Sequence, residues 1–273
     1  MLSSKKLTII LLAALIAVLT VNLRLNTVRI KTEYHTISQE SLGSVFGGVR
    51  IAQITDLHTS KIGTLERQLV EKLQSIKPNL IFITGDFINN DSDIPACSTL
   101  AVQISQIAPT IATLGNNDHK TQNRANDTGR LTAILSGLGI TLLVNQAALF
   151  IHENDSIYIV GLDDDLLLYD NYFKATAGIP KDAPRIVLAH TPEIVEKISR
   201  EHINFIFCGH THGGQILLPL TGNLFEYFKF KYLKGLYQTD EYPVNLYVNR
   251  GIGTSFIPIR WGSRPEIAVF EFK

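Results

Sequence analysis

Cysteine is scarce in this 273-residue chain, and neither sign of charge is in excess. Cys97 and Cys208 form no C-x-x-C pair, so nothing points to a thiolate metal site, and they leave the redox compartment open. Cys208 closes an apolar run, where a buried thiol is the expected state. Lysine plus arginine equals aspartate plus glutamate at 25 each, so the broad basic footprint of a nucleic-acid binder is missing and a small or lipidic partner is favoured. Internal repeats, proline-rich tracts and Gly/Ser linkers are absent after residue 49, and 49–273 reads as one domain. With 45% hydrophobic and 18% charged residues, the chain can build a sizeable core.

What the chain does have begins at the N-terminus. Lys5 and Lys6 precede "LTIILLAALIAVLTVNL", an uncharged run ending at Arg24. Its length, about 17 residues, is the lower limit for crossing a bilayer as a helix. Ala17 to Asn26 offers no A-x-A cleavage pattern, so residues 1–25 are expected to be an uncleaved transmembrane anchor. A cleaved signal and a helix packed on its own domain are the alternatives. Residues 26–48 read as a polar linker. Orientation stays open, because Lys5 and Lys6 are nearly matched by Arg24, Arg29 and Lys31.

Beyond residue 48 one pattern recurs: a short β-branched apolar run, then a turn carrying Asp, His or Asn. "VRIAQIT" leads to Asp56-Leu57-His58, "NLIFIT" to Gly85-Asp86, and "PTIATL" to Gly115-Asn116. "RIVLA" leads to His190, and "NFIFC" to Gly209-His210-Thr211-His212. Such runs are buried strands. Between the first two, "TLERQLVEKLQSIKP" has helical spacing and a proline stop, which makes the alternation β-α-β and the fold class α/β. Ligands in open α/β sheets sit beyond the carboxyl ends of the strands, so these tips are expected to converge on one edge. Singly, each is an ordinary turn or a satisfied histidine. Together, four histidines, two carboxylates and an amide oxygen exceed the needs of one divalent ion and suit two that share a carboxylate.

The ordered series D-x-H, G-D, G-N, H, G-H-x-H resembles that of the calcineurin-like metallophosphoesterases. "GHTHGGQILLP" and "NRGIGTSFIPIR" are similar to the membrane-associated bacterial branch that includes UDP-2,3-diacylglucosamine hydrolases of lipid A synthesis. The resemblance covers roughly Val49 to Lys273. It implies a four-layer sandwich, two mixed β-sheets flanked by helices, behind an anchor in a bacterial inner membrane. It also implies that Asp56, His58 and His212 hold one metal, that Asn116, His190 and His210 hold a second, and that Asp86 bridges them. Two such ions generate a bridging hydroxide near neutral pH and clamp phosphoryl oxygens for in-line attack. Imidazole with carboxylate suits manganese first, with zinc, iron and nickel also compatible.

Many family members place histidine after the metal-binding asparagine as a proton donor; here the residue is Asn117, and an amide is no general acid. Loss of a general acid costs about 10²- to 10⁴-fold for a poor leaving group. The cost shrinks when the leaving group is itself a phosphate with a second pKa near ~6. Asn117 therefore tilts the expectation toward pyrophosphates or activated diesters, with Asp118 or His119 as substitute proton donors and His119 otherwise a bystander. A nucleotide-lipid substrate, UDP-2,3-diacylglucosamine, follows from the resemblance. Other phosphodiesters, lipid or wall phosphoesters, and a catalytically silent anchored binding module are the rival readings. No protein partner is implied.

Other features admit two readings each. Phe225, Tyr227, Phe228, Phe230 and Tyr232 with Lys229, Lys231 and Lys234 suit either a headgroup interface or the core. Asp163, Asp164 and Asp165 read as a solvated strand-end turn rather than another cation site. Arg250, Arg260 and Arg264 suit substrate phosphate or surface ion pairs alike. His35, His152 and His202 fall outside the pattern and are expected to be structural.

Overall fold

A computed structural model describes residues 4–120, 129–198, 200–218, 222–223, 230–238, 244–255 and 257–273. Its strands are β1 (Lys31–Ile37), β2 (Ile51–Ile54), β3 (Leu80–Thr84), β4 (Thr110–Thr113), β5 (Ile140–Leu142), β6 (Gln146–His152) and β7 (Asp155–Gly161). They continue as β8 (Arg185–Leu188), β9 (Phe205–Cys208), β10 (Leu217–Leu218), β11 (Gly222–Asn223), β12 (Gly235–Gln238), β13 (Asn245–Val248) and β14 (Glu266–Phe272). One six-stranded sheet runs β1-β14-β2-β3-β4-β5, the other β12-β13-β9-β8-β7-β6, and β10 pairs with β11 in a short ribbon. Both large sheets are mixed: β2 to β5 and β7-β8-β9-β13 are parallel, while β14 opposes β2, β6 opposes β7 and β12 opposes β13.

The period of two along each strand builds the layers. Ile51, Phe82, Ile111 and Phe270 from the first sheet meet Ile159, Ile186, Phe205 and Phe207 from the second in a middle layer. Ala52, Ile81, Ile83 and Ala112 face outward, against Leu69 and Leu73 of the helix Thr64–Ile76 and Leu100 and Ile104 of the helix Ile94–Ser105. Val187, Ile206 and Cys208 do the same on the second sheet against Ile194 and Ile198. Both faces are covered, which is why these strands appear as unbroken apolar runs. All five runs read from the sequence are strands, split three to one sheet and two to the other. The helix after the first run stops as its proline implies, with Lys77 left-handed (φ 52°) before Pro78.

The 26–48 stretch is not a linker. β1 lies parallel to β14 from Lys31↔Glu266 to Ile37↔Phe272, and the helix Glu40–Phe46 buries Leu42, Val45 and Phe46 in the middle layer. β1 is an edge strand whose residues are all exposed or half-buried, so it lacks the apolar run that marks a central strand. Upstream, the helix Ser4–Val28 is long and apolar enough to cross a membrane over Thr8–Val28. Ile9, Leu11, Ile16 and Val21 along it are more than half exposed, while its last turn, from Asn26 to Val28, is half-buried where it joins the folded unit.

Candidate metal centre

Three of the five strand runs, those leading to Asp56, Asp86 and His210, end in turns that force their polar residues into tight bends. Asp56, His58, Asp86, His210 and His212 all have positive φ, between 44° and 70°. Non-glycine residues avoid that region, and such strain concentrates where a side chain must be aimed. The glycine before a tip residue answers a packing demand. A Cβ on Gly115 would sit 2.7 Å from Asp86 N and 2.8 Å from His190 Cγ, and one on Gly209 would sit 2.5 Å from Asp56 Oδ2.

The tips of both sheets meet. Asp86 Oδ2 lies 3.5 Å from His58 Nε2 and 3.4 Å from His190 Nε2, between the two groups. On one side, His212 Nε2 is 3.4 Å from Asp56 Oδ1 and 3.3 Å from His58 Nε2. On the other, His210 Nδ1 is 3.2 Å from His190 Nε2. Asp56, His58 and His212 form one cluster compact enough to hold an ion, and Asp56, Asp86 and His190 another. Asp56 Oδ1 and Asn116 Oδ1 are buried without a hydrogen-bond partner. An orphaned buried oxygen is costly, and a cation is the partner this donor set fits.

Electrostatics keep His210 and His212 matched to that task. Burial, reinforced by the charge of His190, pushes His210 down to about 3, and burial with Arg260 beside it pushes His212 well below its ordinary value. Both rings are neutral at pH 7, as ligands must be. Burial alone would raise the Asp86 carboxyl, but His190 and His58 outweigh it and hold the group ionised. His190 donates Nδ1–H to Thr84 O at 2.8 Å, which fixes its tautomer and aims Nε2 inward.

The residues around Asn117 divide sharply. Asn117 N donates to Asp86 Oδ1 at 2.8 Å, its amide donates to Asp86 Oδ2, and its carbonyl oxygen accepts from Lys120 Nζ at 2.6 Å. Asp118 is fully buried. Its carboxylate accepts the backbone N–H of Asp86, Phe87, Ile88 and Gly115, which locks the turns after β3 and β4 together. His119 turns away, with Nε2 2.7 Å from Asp163 Oδ1 and its ring against Tyr169 at 4.8 Å. A cavity of about 570 Å³ opens over the cluster and is lined by Asp86, Asn116, Asn117, Lys120, His210, His212, Gln215 and Phe230 among others; His119 is not part of it.

Other readings change in the structure. Asp163, Asp164 and Asp165 are buried, not solvated: they pair with His119, cap Leu167 N and approach Lys197. Arg260 is neither a phosphate fork nor a surface pair. Completely buried, it donates to the carbonyls of Gly251, Gly253 and Arg250 and lies 3.1 Å from His212 Nδ1, bracing that ring. Arg250 pairs with Glu33 and Glu266. Of the aromatic segment, Phe225, Tyr227, Phe228 and Lys229 lie outside the described residues. Tyr232 joins the core, and Phe230 meets the His210 ring edge-on at 5.8 Å at the cavity wall. Lys120, Asp118 and Arg260 carry no periodic or motif signal that assigns them these positions.

Comparison with known proteins accords with this geometry. The model of the calcineurin-like phosphoesterases matches residues 49–214. The uncharacterized metallophosphoesterase YkuE of Bacillus subtilis is 32% identical over 252 residues, 89% of this chain and 86% of its own. The phosphodiesterase YaeI of Escherichia coli is 32% identical over 229 residues, 81% of each chain. The UDP-2,3-diacylglucosamine pyrophosphatase LpxG of Chlamydia trachomatis is 28% identical over 278 residues, 82% of this chain and 83% of its own.

Proposed function

The chain belongs to the calcineurin-like phosphoesterases, metal-dependent hydrolases of phosphoesters, and from that premise we propose that it cleaves a pyrophosphate at a membrane surface. The observation that carries the reading is the position of Asp86 Oδ2, midway between His58 and His190, together with the buried, unpartnered oxygens of Asp56 and Asn116. Asp56, His58 and His212 would hold one divalent ion, Asn116, His190 and His210 the other, and Asp86 both. Manganese suits the oxygen-rich half. When bound, such a pair supplies Lewis acidity to phosphoryl oxygens and lowers the pKa of water.

The chain's own groups do the rest. Lys120, at the cavity rim, offers a cation to a phosphate oxygen, and Asn117 holds that ammonium in place. None of residues 117–119 is set to protonate a leaving oxygen: Asn117 is an amide, the carboxylate of Asp118 is filled by four N–H groups, and His119 faces Asp163. A leaving group that departs without a proton is therefore favoured, and a nucleoside monophosphate is one. UDP-2,3-diacylglucosamine, giving UMP and the lipid monosaccharide phosphate, joins that chemistry to the apolar N-terminal helix and to the activity printed for LpxG. The likeness to YaeI favours a second reading, another phosphodiester as substrate. A silent binding module would have no need of the full ligand set.

The test is UMP release from UDP-2,3-diacylglucosamine by detergent-purified protein with added manganese, beside an Asp86→Ala control, a generic diester and an alkyl monoester. UMP release that the control loses supports the assignment. Diester turnover without UMP keeps the hydrolase and discards the substrate; absence of both metal and turnover leaves the silent module.

A further inference from the structure

A second charged cavity, about 420 Å³, lies away from the metal centre at the end of the apolar helix and is lined by Asn26, Lys31, Arg250, Trp261, Gly262 and Arg264. The contacts that build it tie the helix to the folded unit. Arg260 N donates to Thr27 Oγ1 at 2.9 Å, Lys31 N to Pro265 O at 2.8 Å, and Arg264 Nε to Arg29 O at 3.0 Å. The cavity is thus part of the fold and not a gap beside a loose helix.

Its charge is unbalanced. Lys31 pairs with Glu33, and Arg250 with Glu33 and Glu266, but Arg24, Arg29 and Arg264 have no ion pair among the described residues. Burial and repulsion from Arg29 and Arg250 lower the basicity of Arg264 and outweigh the one opposing charge, Glu33, which is already paired with Lys31 and Arg250. Nothing in the proposed reaction uses this cluster. It sits at a definite depth: the 21-residue span Thr8–Val28, at about 1.5 Å per residue, matches a hydrocarbon core of about 30 Å. Arg29, the first residue past that span, and Arg264, which donates to its carbonyl, then fall at headgroup level, with Trp261, the chain's one tryptophan, in the zone where indole rings settle.

We propose that this cavity binds the phosphate of an anionic membrane lipid, with Arg264 as the cation in its lining, Arg29 adding charge beside Arg264, and Trp261 as its wall. This rests on the reading of Thr8–Val28 as a membrane anchor. Trp261 exchanges backbone hydrogen bonds with Gln215 and Leu217 at 2.9 and 2.7 Å, just after the His212 turn, so a lipid held here sets the attitude of the metal centre to the bilayer.

Native mass spectrometry of the full chain in neutral detergent tests it, with phosphatidylglycerol, phosphatidylcholine and inorganic phosphate as probes. The expected result is one retained phosphatidylglycerol per chain, about tenfold weaker retention of phosphatidylcholine, and a loss of about fivefold for each of Arg29→Gln and Arg264→Gln. Arg29 is exposed, so its variant keeps the fold even where the Arg264 variant does not. Equal retention of the two lipids, unchanged retention by Arg29→Gln together with a folded Arg264→Gln, or complete displacement by millimolar phosphate overturns the proposal; the last outcome marks a free-anion site. Carbonate extraction of membranes reports separately on the anchor. Protein that washes off yet retains phosphatidylglycerol in the spectrometer ends the anchor reading and keeps the site.

Discussion

The side-chain amide of Asn117 donates to the carboxylate of Asp86, and Lys120 grips the other end of the same amide at 2.6 Å. Asn117 stands where the family resemblance implies a proton-donating histidine, and with Lys120 it supplies positive charge without an acid. Asn117→His is expected to raise turnover of an unactivated alkyl monoester by about 10²-fold while changing pyrophosphate turnover by less than about fivefold. Parallel kcat/KM measurements on the two substrates check it. An equal gain on both would mean that protonation of the leaving group limits the native reaction too.

Asp118 is the residue to change if metal-site geometry is to be disturbed without touching a ligand. Asp118→Asn keeps the size but replaces an acceptor-only group that serves four backbone N–H groups with one that has a donor face. The turn bearing Asp86 then loses acceptors, at about 1–3 kcal/mol for each N–H left unsatisfied. The expected outcome is metal affinity weaker by about 10- to 100-fold. Excess manganese should restore kcat more fully than it restores the melting temperature, and titration of both with metal separates positioning from simple unfolding.

Much of this architecture is legible before any coordinates, for a physical reason. A strand covered on both faces must be apolar at every position, so "NLIFIT" and "NFIFC" announce themselves, and the polar residue that follows each is the first that can face solvent or an ion. β1 and β14 escape notice for opposite reasons: one is a half-exposed edge, and the other ends in no ligand. The burial of Asp163 to Asp165 is equally hidden, since three consecutive carboxylates look solvated until His119 and Lys197 are seen to answer two of them. The brace of Arg260 on His212 joins residues 48 positions apart, and no local pattern encodes that contact.

Gly115→Ala tests the crowding at the tips of β3 and β4. A methyl there meets Asp86 and His190 inside van der Waals contact, with the Asp86 backbone on one side and no room to retreat. Overpacking of this kind costs about 1–3 kcal/mol, and here the displaced groups are two of the proposed ligands. The expected result is a lower melting temperature together with bound metal falling from two ions per chain toward one, read by elemental analysis. Gly137→Ala, which meets nothing within 4 Å, is the matched control and should leave both unchanged.

Acid should withdraw the stability that His210 and His212 contribute to the metal-stripped protein, over a window set by those two rings. His210 is held down to about 3 and His212 well below its ordinary value, so both are neutral in the folded state at any pH where the protein works. In the unfolded chain the same rings titrate near ~6.5. Below that pH the unfolded state takes up protons that the folded state refuses, and stability falls with pH by at most about 1.4 kcal/mol per unit for each ring, down to the folded value of about 3 for His210. His190 has the opposite sense: burial lowers its pKa, but Asp86 and Asp56 raise it further, so its contribution is present below ~6.5 and is lost as pH rises through its folded pKa. That change lies above ~6.5, so His190 leaves the slope below it untouched; burial raises Asp118 to about 7 and Asp165 to about 6, and these carboxyls oppose the His210 and His212 loss over the same range. The His210 term is therefore read as a difference: between pH 4 and about 6.5 the melting temperature of chelator-treated His210→Asn should fall less steeply with acid than that of the parent. With manganese present the midpoint should rise most at neutral pH and least at pH 5, because protons and metal compete for the same nitrogens. A slope that does not change on loss of the His210 ring would mean that this ring is charged in the folded protein, and the ligand set would need to be redrawn without it.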